Sequence, residues 1–291
     1  MFSPFRKSAR RAAAALLLCL AALPLASPAA EPPADANGIR LYALDCGHIR
    51  FKDMSEFSDT GEWDGKPGNL SDPCFLIHHP QGWLLWDTGL GDALAAKKEG
   101  AEPEPGVHIT VPVTLVDQLK QLKLAPADIT YVAFSHFHFD HTGNANLFGA
   151  STWLINKKEL AAAEGPNPPF GVDPKLVSAH KNAKSTQFVG DHDVFGDGSV
   201  KILSAPGHTP GHQCLEVKLA HSGTVILSGD LYHQSLNRSE GLVPAFNTDR
   251  AATLSSIQRI ERIVKNTHAR FVIQHAPEDF AALPKFPAWL D

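Results

Sequence analysis

Only four of the 291 residues are cysteine, and none of Cys19, Cys46, Cys74 and Cys214 stands in a CxxC pair. Structural thiolate zinc sites are built from such pairs, so that chemistry has no support here. Basic charge is in deficit as well: 26 Lys and Arg face 31 Asp and Glu, a formal charge of −5. Nucleic-acid affinity rests on neutralising phosphates with cations, so nucleic acid is not an expected partner. Long apolar runs are missing too. The run from Ala12 to Leu23 is shorter than the roughly 20 residues that span a bilayer. Pro24 closes it, and no stable membrane insertion is expected. Beyond residue 38 there is no short-period repeat and no low-complexity segment. What is present is a chain that is 43% hydrophobic, enough for a substantial core.

Arg6, Lys7, Arg10 and Arg11 precede the apolar run, and the small residues Ser27, Ala29 and Ala30 follow where a signal peptidase cuts. Residues 1–30 are therefore expected to be a cleavable signal peptide, 31–38 a Pro/Ala-rich linker and 39–291 a single domain, periplasmic or secreted. Bulky Leu18 ahead of Cys19 argues against a lipoprotein signal. Loss of the four leader cations moves the charge from −5 to −9. An oxidising destination permits disulfides among Cys46, Cys74 and Cys214. Three is an odd number, so at least one stays unpaired within a monomer, and a Cys46–Cys74 bridge is one open pairing.

Strands are expected at Ile39–Leu44, Cys74–His78 and Trp83–Trp86, with Gln81-Gly82 as a hairpin turn. The polar stretch from His48 to Asp72 reads as a long loop of the kind that forms lids. Val113–Leu122 has helical apolar spacing, and Ile129–Phe134 reads as a strand. A strand and short helix follow near Thr152–Ala163. Further strands are expected near Val200–Leu203, Cys214–Val217, Thr224–Leu227 and Arg270–Ile273, with a helix over Asp249–Val264. Strand-rich halves, each finished by helices, predict an α+β fold, a four-layer αββα sandwich.

Three imidazoles and a carboxylate fall within six positions in Ser135-His136-Phe137-His138-Phe139-Asp140-His141. Such a cluster is costly to bury without a cation to accept its lone pairs. In an extended stretch His136 and His138 point the same way and reach one ion, while Asp140 and His141, past the turn, reach a second. HxHxDH after a buried strand resembles the signature of the metallo-β-lactamase superfamily. Trp86-Asp87-Thr88-Gly89, Gly207-His208-Thr209-Pro210-Gly211, Ser228-Gly229-Asp230 and Gln274-His275 are similar to its other marks, in the family order. The resemblance spans about residues 39 to 280. It implies that His136, His138 and His208 hold one metal, that Asp140, His141 and His275 hold the other, and that Asp230 bridges them. Asp87 would orient a ligand histidine. Two divalent ions are implied; histidine and carboxylate donors suit zinc, with iron, manganese or cobalt as alternatives. His212 is expected to be structural, as are His48, His78, His79, His108, His180, His192, His221 and His268.

This fold hosts many hydrolases, and details must separate them. The family's β-lactamases generally lack the bridging aspartate, whereas lactonases and thioesterases keep it. SHFHFDHTGN and GHTPGHQ look most like the N-acyl homoserine lactonases, which implies lactone opening by a metal-bridging hydroxide and a quorum-quenching role. The alternative is a periplasmic β-lactamase-like or other ester or thioester hydrolase. A non-catalytic metal-binding scaffold predicts a damaged ligand set, and all seven positions are filled. The expected partner is a small molecule with an apolar acyl chain, bound by Met54, Phe57, Trp63, Phe139, Phe170 and Leu231. Asp140 would pass a proton to the leaving alkoxide. Where these lactonases carry a tyrosine three residues past the bridging aspartate, this chain has His233, with Tyr232 one earlier; either side chain is a candidate to polarise the carbonyl. A homodimer is left open.

Overall fold

Residues 1–2 and 38–291 are described in the computed structural model of the chain. Apart from Met1, Phe2 and Gly38, the expected leader and linker lie outside the described residues. Strand β1 (Arg40–Phe51) runs antiparallel to β2 (Gly68–His79), which turns back into β3 (Gly82–Trp86). After β4 (Ala101–Glu104), β5 (Val107–Thr110) and helix α1 (Leu115–Gln121), the chain forms β6 (Tyr131–Ala133), α2 (Phe139–Thr142), β7 (Thr152–Asn156), α3 (Lys157–Ala163) and β8 (Ser185–Phe188). The second half supplies β9 (His192–Asp193), β10 (Val200–Ser204), β11 (Gln213–Leu219), β12 (Gly223–Leu227), α4 (Ser235–Glu240), α5 (Arg250–Thr267), β13 (Arg270–Val272) and α6 (Pro277–Ala281). Among the described residues the sheets have the orders β4-β5-β1-β2-β3-β6-β7-β8 and β13-β12-β11-β10-β9.

The central strands read as near-continuous apolar stretches because both of their faces are covered. Leu41, Ala43, Phe75, Ile77, Leu84 and Trp86 of the first sheet meet Ile202, Leu215, Val217, Val225, Leu227 and Val272 of the second. The other face of the first sheet packs Leu44, Leu76, Leu85, Val132 and Trp153 on Leu115 and Leu119 of α1 and Leu160 of α3. Ile226 and Phe271 lie in one cluster with Ile260 of α5. These clusters define the four αββα layers. Burial of each such side chain contributes about 1.5–3 kcal/mol, which makes the sandwich a firm base for the loops at its edge.

The stretch expected to be one loop from His48 to Asp72 is mostly strand: β1 runs on to Phe51 and β2 starts at Gly68. Ile49 and Leu70 pair across the ladder and face the core, while His48, Arg50 and Asn69 are exposed, so a half-polar alternation hid both ends. A true connection, residues 52–67, remains, with a short turn at Ser55–Phe57. Cys46 and Cys74 are joined in a disulfide, and Cys214 is free and buried. Among the described residues no helix is long and apolar enough to cross a membrane.

Candidate metal centre

All the residues of the HxHxDH segment leave the end of β6. His136 and His138 flank Phe137, whose ring is buried and packs edge-on to Phe134 at 5.5 Å. With Phe137 anchored in the core, the two imidazoles face the other way. Asp140 and His141 follow on the single turn of α2, held by Thr142 Oγ1 donating to the His138 carbonyl at 2.8 Å. The β10–β11 loop brings His208, the turn after β12 brings Asp230, and the residues after β13 bring His275. The His208 loop can lie against α5 only because residue 207 is glycine: its φ is +140°, and a Cβ there would sit 2.3 Å from the Thr253 nitrogen.

Two groups result. His136, His138, His208 and Asp230 form one, and Asp140, His141 and His275 the other; within each, ligand atoms lie within 4.8 Å of one another. In the first, His208 Nε2 is 3.2 Å from His136 Nε2 and 3.1 Å from His138 Nδ1. In the second, His275 Nε2 is 3.3 Å from His141 Nε2. Asp230 stands between: Oδ2 is 3.2 Å from His208 Nε2, and Oδ1 is 3.0 Å from His275 Nε2 and 3.2 Å from His141 Nε2.

The outer nitrogens show which way the protons go. His208 Nδ1 donates to Asn247 Oδ1 at 2.8 Å, His275 Nδ1 to the Ser71 carbonyl at 2.7 Å, and His141 Nδ1 to Asp87 Oδ2 at 3.0 Å. Ser135 Oγ donates to Asp87 Oδ2 and accepts from His136 Nδ1, each at 3.0 Å. Four Nε2 lone pairs therefore converge on one another and on a carboxylate whose buried Oδ1 has no hydrogen-bond partner. Acceptors facing acceptors call for a cation. Tetrahedral zinc–nitrogen bonds of about 2.0–2.1 Å place ligand nitrogens about 3.3 Å apart, which is the spacing seen. The donor set fits two metal ions.

The electrostatics of the side chains divide between the two groups. Burial works against charge on His141 and His275, but Asp230 outweighs it and raises His141 well above the ordinary histidine value and His275 to about 9. Burial and then the neighbouring imidazoles push His136 and His138 well below the ordinary histidine value, although Asp230 opposes this. Burial also works against charge on Asp230, but His275, His141 and His136 outweigh it and hold the carboxyl well below its usual range. For His233 burial wins over Asp230, and the imidazole is pulled down to about 4. Asp72, beside Ser71 on β2, is a buried carboxylate whose Oδ2 has no partner; burial, then Asp140, push it well above the usual range.

The seven residues expected as ligands come together, and Asp87 accepts from His141 Nδ1. His212 donates from Nδ1 to the Ala205 carbonyl at 2.9 Å and accepts from the Asp230 N–H at 2.8 Å, so it fixes Asp230 without facing the centre. His233 is at the centre, with Nε2 3.1 Å from Asp230 Oδ2. Tyr232 is not: its backbone is extended, so its side chain leaves on the opposite side from His233, and its hydroxyl donates to Glu261 at 3.1 Å beneath Phe271.

The expected apolar lining divides. Phe139 is 37% exposed at the lip, and Phe170 is 71% exposed with its ring 6.0 Å from Phe246. The Phe57 ring lies 5.1 Å from His233, and half-buried Trp63 packs against the apolar cluster to which Phe57 belongs. Met54 and Leu231 are core instead. Met54 is enclosed with Ile49 and Leu70, and Leu231 with Ile226 and Ile260, because each falls on the inward side of its turn. Phe246, 5.7 Å from His208 and 5.5 Å from His233, was not anticipated, nor were Asn247, Ser71 and Glu159. None of these lies in a local motif; only Pro244 and the polar run before α5 marked the region as a loop.

Residues 68–275 match the metallo-β-lactamase superfamily, and the chain belongs to it as a metal-dependent hydrolase. The similarity is specific enough to name relatives. N-acyl homoserine lactonase AttM of Azorhizobium caulinodans is 30% identical over 264 residues, 87% of this chain and 99% of that protein. N-acyl homoserine lactonase AiiA of Bacillus thuringiensis subsp. kurstaki is 30% identical over 257 residues, 86% and 98% of the two chains. A solved N-acyl homoserine lactone hydrolase with the product N-hexanoyl-L-homoserine at its catalytic metal centre superposes with a TM-score of 0.75 at 27% identity, covering 86% of this chain and 98% of that one.

Proposed function

We propose that this protein hydrolyses the lactone ring of N-acyl homoserine lactones at a dinuclear centre, probed best as an exported quorum-quenching enzyme. Asp230 carries the reading, because it turns one oxygen to each group of imidazoles, and the relatives of matching length are named for this activity. His136, His138 and His208 would hold one ion and Asp140, His141 and His275 the other, with Asp230 facing both groups. Divalent ions held there, zinc being the metal the donors suit, would supply a nucleophile drawn from water near neutral pH and a Lewis acid for a carbonyl oxygen.

The chain's own residues do the rest. His233, beside Asp230 and walled by Phe57 and Phe246, hydrogen-bonds the reacting carbonyl. Asp140, at the margin with 10% of its side chain exposed, takes a proton from the attacking water and passes it to the ring oxygen as the ester C–O bond breaks. The water oxygen ends on the acyl carbon and the proton on the released hydroxyl. From Phe139 an apolar groove of about 520 Å³ runs past Leu90, Leu94, Leu147 and Leu176, suited to an acyl chain.

The test is purified protein with metals quantified, assayed on acyl homoserine lactones of several chain lengths, nitrocefin, aryl esters and a phosphodiester. Lactone turnover that chelation removes is the expected result. Turnover of nitrocefin with none of any lactone would overturn the reading in favour of a β-lactamase-like enzyme.

A further inference from the structure

We infer that Glu159 is a positioning residue for the first metal site, coupling the two loops that supply its three histidines. The residue sits in the first turn of α3, 3% exposed. Its Oε1 accepts from the Phe137 N–H at 2.9 Å, and Phe137 lies between His136 and His138. Its Oε2 accepts from Thr209 Oγ1 and from the Gly211 N–H, both at 2.8 Å, and Thr209 directly follows His208. One carboxylate therefore fixes the backbone on either side of a ligand set whose members are about 70 residues apart in sequence.

The surroundings are shaped for this contact. A Cβ on Gly211 would come within 2.5 Å of the Glu159 nitrogen and 2.6 Å of its Cβ, so the loop reaches the carboxylate only because residue 211 is glycine. Glu159 is not needed to start its own helix, since Asn156 accepts from the Lys158 N–H at 2.9 Å. Among the described residues no Lys, Arg or His forms an ion pair with it. Three neutral donors, two from one loop and one from the other, account for its hydrogen bonds. A carboxylate is required because both of its oxygens accept. Glutamine has nearly the same shape but offers one acceptor, so its amide NH2 must face a donor on one of the two loops.

The inference rests on the metal site and not on the lactone reading; metal affinity is read without substrate, so either can fail alone. Glu159→Gln and Thr209→Val are compared with the unaltered protein by competition with a chelator, by the visible spectrum of the cobalt-loaded form, and by melting with and without metal. Glu159→Gln is expected to weaken one of the two ions about 10–100-fold and to alter the cobalt bands, leaving the other ion in place. Thr209→Val, which removes one donor and keeps the shape, should weaken the same ion by about tenfold. The metal-induced rise in melting temperature then shrinks in both variants. Equal melting losses with and without metal, together with unchanged affinity and cobalt spectrum, would show a merely structural latch and overturn the inference. If Glu159→Gln does not fold, the Thr209→Val affinity alone decides.

Discussion

The Asp87 carboxylate and the His141 imidazole, 54 residues apart in the chain, meet at 3.0 Å between Oδ2 and Nδ1. Asp87 also accepts from the Ser135 N–H at 2.7 Å and from Gln274 Nε2 at 2.7 Å, so it ties the HxHxDH segment to the residue before His275. Its backbone φ of 59° is unusual outside glycine, a strain tolerated at functional sites. Asp87→Asn turns an NH2 toward these donors. We expect a loss of roughly 2–4 kcal/mol in stability and metal affinity weaker by about 10–100-fold. Denaturant melts and metal titrations check both, and an unchanged metal affinity would refute the orienting role.

Asp230→Asn removes the charge that both groups face. Bound metal should fall from two ions per chain toward one, and turnover should drop by at least about a thousandfold, since the site would lose half its catalytic pair. Metal analysis after dialysis and steady-state rates measure this. Two retained ions with full turnover would remove Asp230 from the bridging position.

His233→Ala should leave both ions bound and lower kcat by about a hundredfold, the usual scale for a positioned proton or hydrogen-bond donor. Tyr232→Phe should do neither, because the Tyr232 hydroxyl contacts Glu261. A kcat loss in Tyr232→Phe equal to that of His233→Ala would contradict the placement of the two side chains.

Asp197 supplies a pH test away from the centre. Hydrogen bonds from the Ser199 hydroxyl and N–H, with a smaller contribution from His79, draw its carboxyl down to about 2. An unfolded aspartate titrates near 3.9, so the stabilisation is complete above that pH and disappears as pH falls through 2. The side chain is 43% exposed, which limits its size to about 1 kcal/mol or less. Urea midpoints of the natural protein and Asp197→Asn should differ at pH 5, and about half of that gap should close by pH 3. A gap independent of pH would exclude this linkage.

The ligands were legible because metal chemistry concentrates them in short motifs at strand ends, where even one sequence displays the pattern. The central strands were legible because Leu84–Trp86 or Cys74–Ile77 have no polar face to dilute the signal. Glu159 was not, since each of its partners lies 22 to 52 residues away and glutamate in a first helical turn is commonplace. Tyr232 and His233 could not be told apart without the extended backbone that sends neighbours to opposite sides. Met54 was misread for a related reason: an apolar residue in a polar stretch looks like lining until Ile49 and Leu70 are seen to enclose it.

The covalent link between Cys46 and Cys74 makes buffer choice an experimental variable. It closes a ring of chain with a sequence separation of 28, a constraint worth about 3–4 kcal/mol. That ring contains Phe57 and Ser71, and Ser71 steadies His275. A thiol reductant would relax the ring and chelate the ions in one stroke, whereas a phosphine would do only the first. Batches prepared with and without reductant are therefore different materials, and their oxidation state belongs beside their metal content whenever rates are compared.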